Sequence, residues 1–231
     1  MTSSPSAAEP VVLSTTAGDF PLHEYRVRLG GRDWALLHTG AILSAEEEER
    51  YLWEERDFKP YGIVLWPSAI ALAHDLAARG GELRGRRVLE LGAGTGLPGI
   101  VASSLGARVA QTDKLDVAMS VCRRNGERNG AAGIEYRIVD WTEWNDGERY
   151  DWIIGSDVLY AEALHPQLRA ILERNLAPGG RILLSDPFRK PSLKLLEALE
   201  TDGWRIVLTK WNVGQGEDRP RPIGVFELTP P

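Results

Sequence analysis

The sequence predicts an α/β fold in which a mostly parallel sheet of seven strands is flanked by helices, closed by an antiparallel pair and preceded by a β-hairpin. Three observations predict it. From Arg87 onward, short β-rich runs alternate with helical patterns, the rhythm of a parallel sheet whose strands are joined by crossover helices. After Thr201 the rhythm stops, and Arg205 to Thr209 and Ile223 to Leu228 read as two strands joined by a polar, glycine- and proline-rich loop. Near the start, the alternating segments Glu24 to Arg28 and Trp34 to His38 flank Gly30-Gly31 and Asp33, the pattern of a hairpin closed on glycine.

Taken in order, residues 1–10 (MTSSPSAAEP) have neither a basic segment nor an apolar core and read as a disordered tail. Residues 11–60 form the expected hairpin and helical extension, in which the acidic run Glu46 to Glu49, followed by Glu54, Glu55 and Asp57, reads as a solvated helix face. Residues 61–231 form the main domain. A helix is expected to start at Trp66-Pro67, because proline suits the first helical position, and to run through Ile70, Ala73, Leu76 and Ala77 until Gly80-Gly81. Strands are then expected at Val88 to Leu91, Arg108 to Thr112, Ile134 to Val139, Trp152 to Gly155 and Arg181 to Leu184. Helices are expected near Pro98 to Leu105, Leu115 to Asn129, Ala163 to Leu176 and Ser192 to Thr201, so that five βα units follow in succession.

Composition excludes several functions. The chain has 231 residues, 43% hydrophobic and 26% charged, enough to bury one substantial core. Its apolar runs fall far short of the roughly 20 residues that cross a bilayer, so no membrane partner is expected and the compartment reads as cytoplasmic. A formal charge of -6 argues against a nucleic-acid partner, which needs a surplus of Lys and Arg on the binding face. Cys122 is the only cysteine and the histidines His23, His38, His74 and His165 are scattered, so no metal site and no nucleophilic triad is expected. His165 precedes Pro166 and reads as a helix-start residue.

The segment Val88-Leu89-Glu90-Leu91-Gly92-Ala93-Gly94-Thr95-Gly96 carries an apolar strand into a glycine turn and then a helix. Glycine permits the sharp turn and the close approach of a ligand to the backbone. Gly94 to Gly99 also matches the dinucleotide pattern G-x-G-x-x-G, so an NAD(P) oxidoreductase is the competing reading. Glu90 at the strand end favours a cationic sulfonium, as in S-adenosylmethionine (SAM), over a pyrophosphate. Asp113 ends the next strand, where a carboxylate suits ribose hydroxyls of either cofactor. The entry helix before the loop and the antiparallel closing pair also depart from a dinucleotide fold, so SAM is the expected cofactor. Asp140 and Trp141 end the third strand, where an acid can accept from the adenine amino group and a ring can cover the base.

With its glycine loop followed by Ser156-Asp157-Val158-Leu159-Tyr160 directly after the fourth strand, the sequence resembles the seven-β-strand protein lysine methyltransferases outside the SET class. The resemblance covers about Tyr61 to Pro187. It implies a Rossmann-like fold, SAM as methyl donor with S-adenosylhomocysteine as product, and cofactor contacts from Trp66, Gly92, Ala93, Gly94, Asp113, Trp141 and Ser156. Gly96 belongs to the same turn.

Ligands of open α/β sheets sit beyond the carboxyl ends of the strands, which places Asp157 and Tyr160 at the transferred methyl group as the catalytic residues. Asp157 is expected to draw in an ammonium and Tyr160 to supply a ring wall and a hydroxyl acceptor. No Asn/Asp-Pro-Pro-Tyr run occurs, which argues against DNA bases and glutamine amides as acceptors. A protein lysine is the expected acceptor, with a small amine as the alternative and a SAM-binding module without catalysis as a third reading. Arg189-Lys190 follow Pro187 on the same expected rim, where a contact with substrate is one reading and a solvated loop the favoured one. The acceptor's identity, the degree of methylation, the oligomeric state and the role of the hairpin are not legible.

Overall fold

The computed structural model describes residues 11–15, 18–42, 44–53, 61–214 and 220–231. The expected tail at residues 1–10, together with Glu54, Glu55 and Asp57, lies outside them. The N-terminal extension is larger than a hairpin. Strands β1 (Val11–Thr15), β2 (Gly18–Leu29) and β3 (Arg32–His38) make a three-stranded antiparallel sheet, with Gly30 and Gly31 at positive φ in the β2–β3 turn. β1 was not legible because Val11 and Val12 are exposed while Leu13 points inward. A two-residue strand β4 (Gly40–Ala41) leads to helix α1 (Ala45–Trp53). Ser44 and Glu47 cap α1 reciprocally, Glu47 N donating to Ser44 Oγ at 3.1 Å and Ser44 N to Glu47 Oε2 at 2.9 Å.

A short strand β5 (Val64–Leu65) pairs with β4 and runs into α2 (Pro67–Arg79), with Trp66 at the N-cap and Pro67 at the first helical position as expected. The main sheet follows: β6 (Arg87–Leu91), α3 (Leu97–Ser104), β7 (Arg108–Asp113), α4 (Asp116–Arg128) and β8 (Glu135–Ile138). The second half comprises β9 (Tyr150–Ser156), α5 (His165–Asn175), β10 (Leu176–Asp186), α6 (Lys190–Thr201), β11 (Arg205–Val213) and β12 (Arg221–Thr229). The strand order is β11-β12-β10-β9-β6-β7-β8. Only β12 runs against its neighbours, pairing antiparallel with both β10 and β11. The five expected βα units are four, β6-α3, β7-α4, β9-α5 and β10-α6, because β8 and β9 are joined by a single 3-10 turn, Trp141–Glu143, and not by an α-helix.

Strand alternation sorts the core into two layers. Val88, Trp152, Ile154 and Leu183 pack under α2, α3 and the N-terminal sheet, while Leu89, Leu91, Ile153, Ile182 and Leu184 face α5 and α6. The N-terminal sheet is tied to the domain through α4. Asn125 on α4 and Asn129 at its C-cap, one turn further on, hydrogen-bond the β3 backbone at Leu37 and Ala35, and Asn125 Nδ2 also donates to Thr95 O in the glycine turn at 2.9 Å. Two amide side chains thus satisfy an exposed strand edge and join it to the loop that follows β6. No helix among the described residues is long and apolar enough to cross a membrane.

Candidate active site

The sheet's carboxyl edge gathers the loop after β6, the end of β7, the turn after β8, the end of β9 and the N-terminus of α2. Gly92, Gly94 and Gly96 all have positive φ, which L side chains rarely adopt. At Gly96 a Cβ would stand 2.5 Å from Cys122 Sγ. At Gly92 it would meet Val158 Cγ1 at 2.8 Å and lie 3.8 Å from the Trp141 ring, so that tryptophan flanks the loop as expected. The next residue, Ala93, is buried. Asp113 closes β7 with its carboxylate bridging the crevice floor: Oδ2 accepts from Gly94 N and Oδ1 from Leu115 N, each at 3.0 Å. Burial pushes its pKa up. Asp140 caps the 3-10 turn through Oδ1, which accepts from Thr142 N at 2.8 Å, and thereby sets Trp141 in place.

Glu90 requires a correction. It is fully buried and not at the surface of the crevice. Alternation along β6 sends it to the same face as Val88, beneath α3. There Oε2 accepts from Gly99 N at 3.1 Å and from Gln111 Nε2 at 2.5 Å. Gly99 is in the first turn of α3, whose N-cap Gly96 has no side chain, so Glu90 serves one of the amide groups that a helix start leaves unpaired. Burial raises its pKa to about 8, which keeps it uncharged at neutral pH. It holds the loop from below and offers no charge to a sulfonium.

The choice between cofactors survives on other grounds. Of the three glycines of the dinucleotide pattern, Gly94 N donates to Asp113, Gly96 N to Ala93 O and Gly99 N to Glu90. Anion sites at glycine turns need those amides free. Carboxylates line the crevice instead: the rise in the Tyr160 phenol's pKa, due first to burial, is reinforced by the charges of both Asp113 and Asp157. That environment suits a cationic donor and repels a pyrophosphate.

Asp157 follows β9 with φ of 58°, its amide donating to Ser185 O at 2.8 Å. The left-handed turn swings its carboxylate back against α2, where Ser68 Oγ reaches Oδ2 at 3.4 Å. Arg189 pairs with Oδ1, and also donates to Glu48 Oε1 on α1 at 2.6 Å. Glu48 in turn pairs with Arg221 of β12. Burial raises the Asp157 pKa to about 6 against the opposing pull of Arg189, leaving it mostly ionised at neutral pH. Ser156, half-buried, ends β9 beside it. Val158 and Leu159 are buried, whereas Tyr160 is 60% exposed at the mouth. His165 Nε2 meets Leu159 O at 2.9 Å and fixes this loop, consistent with its reading as a helix-start residue. Trp66 lies across the mouth, its Nε1 donating to Tyr61 O at 3.1 Å and its ring edge-on to Tyr51 at 6.1 Å.

The structure therefore brings Trp66, the glycine turn, Asp113, Asp140, Trp141, Ser156, Asp157 and Tyr160 to one edge of the sheet and sets Glu90 apart. It also adds three residues that were not among the expected site residues. Ser68 had no signal. Arg189 was read as part of a solvated loop and Glu48 as part of a solvated face, yet both side chains are mostly buried, at 23% and 13% exposure.

A Rossmann-like sheet with this strand order and an acidic crevice beside a glycine turn defines the SAM-dependent methyltransferase class. Within it, a profile described as lysine methyltransferase matches residues 45–198, and the chain belongs to that family. It is 33% identical over 180 residues to the protein N-lysine methyltransferase METTL21A of Danio rerio, covering 74% of this chain and 71% of that one. It is 38% identical over 106 residues to the histone-arginine methyltransferase METTL23 of Xenopus laevis, covering 43% of this chain and 45% of that one. In fold it is similar to the glycopeptide N-methyltransferase MtfA complexed with sinefungin, with a TM-score of 0.57 and 16% identity, over 71% of this chain and 94% of that one.

Proposed function

We propose that this chain transfers a methyl group from SAM to a lysine side chain of a protein, with Asp157 and Tyr160 receiving the amine. The observation that carries the reading is the buried Asp157 carboxylate, turned by a left-handed backbone into an acidic crevice beside the glycine turn. The METTL21A similarity favours a protein lysine over a small amine. Gly92, Ala93, Gly94 and Gly96 would form the wall against the donor, Asp113 would accept from ribose hydroxyls, Trp141 would cover the adenine and Asp140 would accept from its amino group. Ser156 and Trp66 would border the methionine end. Bound there, SAM supplies a methyl group activated by a positively charged sulfur.

The chain's own task is to hold the acceptor in line. A lysine has a pKa of about 10.4, so freeing its lone pair at pH 7 costs about 4 to 5 kcal/mol. Asp157 attracts the ammonium, and Tyr160 at the open mouth accepts from the nitrogen while the released proton leaves to solvent. The lone pair then forms the N–C bond, and the electrons of the broken S–C bond stay on sulfur. Positioning is the main catalytic contribution, with no covalent enzyme intermediate.

Incubation of a lysate with methyl-labelled SAM tests the reading. Label should appear in methyl-lysine after protein hydrolysis; label in methyl-arginine, or only in small molecules, would overturn it. Asp157→Asn should lower kcat/KM on the order of 10²-fold or more while S-adenosylhomocysteine still binds. Asparagine tolerates the left-handed backbone, so the variant should fold.

A further inference from the structure

Resting on that reading of Asp157, a second feature of the same site concerns the cation already placed there. Arg189 opens α6 as its N-cap residue, and its guanidinium spans two carboxylates from distant parts of the chain. Nη1 pairs with Asp157 Oδ1, and Nη2 reaches Asp157 Oδ2 at 3.4 Å and Glu48 Oε1 at 2.6 Å. A third carboxylate, Asp186 Oδ2, lies 3.5 Å from Nη1. Glu48 keeps a partner in Arg221 through its other oxygen. Among the described residues the cluster thus contains three carboxylates, Asp157, Asp186 and Glu48, against two guanidiniums, Arg189 and Arg221. Among those groups one carboxylate is in excess, which a single incoming ammonium would match.

Asp157 is the carboxylate assigned above to the acceptor's ammonium, and Arg189 now occupies it. Two full positive charges on one buried carboxylate repel each other, so the acceptor's arrival must loosen Arg189. Glu48 and Asp186 are already within reach to retain it. We propose that Arg189 is a displaceable stand-in for the acceptor: it neutralises Asp157 in the resting site and passes to Glu48 when an ammonium arrives. Glu48 lies on α1, so the N-terminal extension sets how readily the site takes up a cation. Arg189 and Glu48 act through Asp157 and are positioning residues.

The proposal makes the two residues oppose each other. Arg189 competes with the acceptor for Asp157, whereas Glu48 competes with Asp157 for Arg189. n-Butylammonium, a mimic of the lysine terminus, serves as the probe, with its dissociation constant measured by NMR titration in the presence of S-adenosylhomocysteine. At pH 8.5 the probe stays charged and the wild-type Asp157 is ionised. Arg189→Gln should tighten binding about fivefold and Glu48→Gln should weaken it about threefold, each change resting on one charge-assisted contact. A structural clamp would weaken binding in both variants, and that outcome overturns the proposal. If Arg189→Gln does not fold, Arg189→Lys takes its place, since a lysine forms fewer contacts with Asp157 and should tighten probe binding where a clamp would weaken it; unchanged or tighter binding in Glu48→Gln also overturns the proposal. Asp157→Asn separates the two readings, because probe binding that survives this substitution refutes the role of Asp157 itself.

Discussion

Glu90 on β6 and Asp157 just after β9 both have buried carboxylates, and they behave in opposite ways. Glu90 lies below the glycine turn with nothing charged to pair with; burial raises its pKa to about 8 and the protonated acid serves as a hydrogen-bond acceptor for α3 and Gln111. Asp157 lies at the edge with Arg189 against it, and its pKa of about 6 leaves it charged at neutral pH. Burial is the first cause of the shift in both cases, so the counter-ion separates them. An uncharged acid in a packed floor fixes geometry, and a charged acid at a rim with a movable partner is available for exchange with a ligand.

The largest expected effect comes from removing the free space in the floor. A Cβ at Gly99 would collide with Glu90 Oε2 and fall 2.5 Å from Gln111 Nε2. Gly99→Ala should therefore cost about 3 kcal/mol in urea denaturation, combining overpacking with a lost buried hydrogen bond. A loss below about 1 kcal/mol would show that the floor yields and that the contrast with the rim is overdrawn.

Next is the pH dependence of stability. Between about pH 4.5 and 8 the folded chain keeps a proton on Glu90 that the unfolded chain releases, so this group makes stability fall as pH rises through that window. The loss approaches about 1.4 kcal/mol per pH unit, or roughly 2 to 3 kcal/mol from pH 5.5 to 7.5. Denaturation series on the wild type and Glu90→Gln should show that component only in the wild type. Parallel curves would mean that Glu90 is charged in the fold.

The smallest effect sharpens the comparison most directly. Since Glu90 is closed off from the crevice, Glu90→Gln should leave S-adenosylhomocysteine affinity within about twofold by calorimetry. A tenfold loss would restore the sulfonium role that its position in the sequence suggested.

Much of the fold was legible because local patterning encodes it. The alternation of strands and helices, Pro67 at the start of α2 and the loop that joins the two closing strands in place of a helix are all visible in neighbouring residues. The glycine turn and the Ser156 to Tyr160 segment were legible for the same reason, since each is a short contiguous motif. The third strand of the N-terminal sheet escaped because β1 exposes Val11 and Val12 and gives almost no alternating signal. The single turn between β8 and β9 escaped as well, because Trp141–Glu143 is too short to have a period.

By itself, then, the sequence determined the class of fold, the edge of the sheet where chemistry belongs and the residues adjacent in the chain that form each motif. Only the tertiary structure decided which carboxylates carry charge, because that depends on burial and on partners far away in the chain. Glu48 and Arg189 are 141 residues apart and meet at 2.6 Å, while Glu90, two residues before the glycine turn, faces away from the crevice. Periodicity reports the side of a strand on which a residue lies; folding determines what covers that side, and the covering sets the charge.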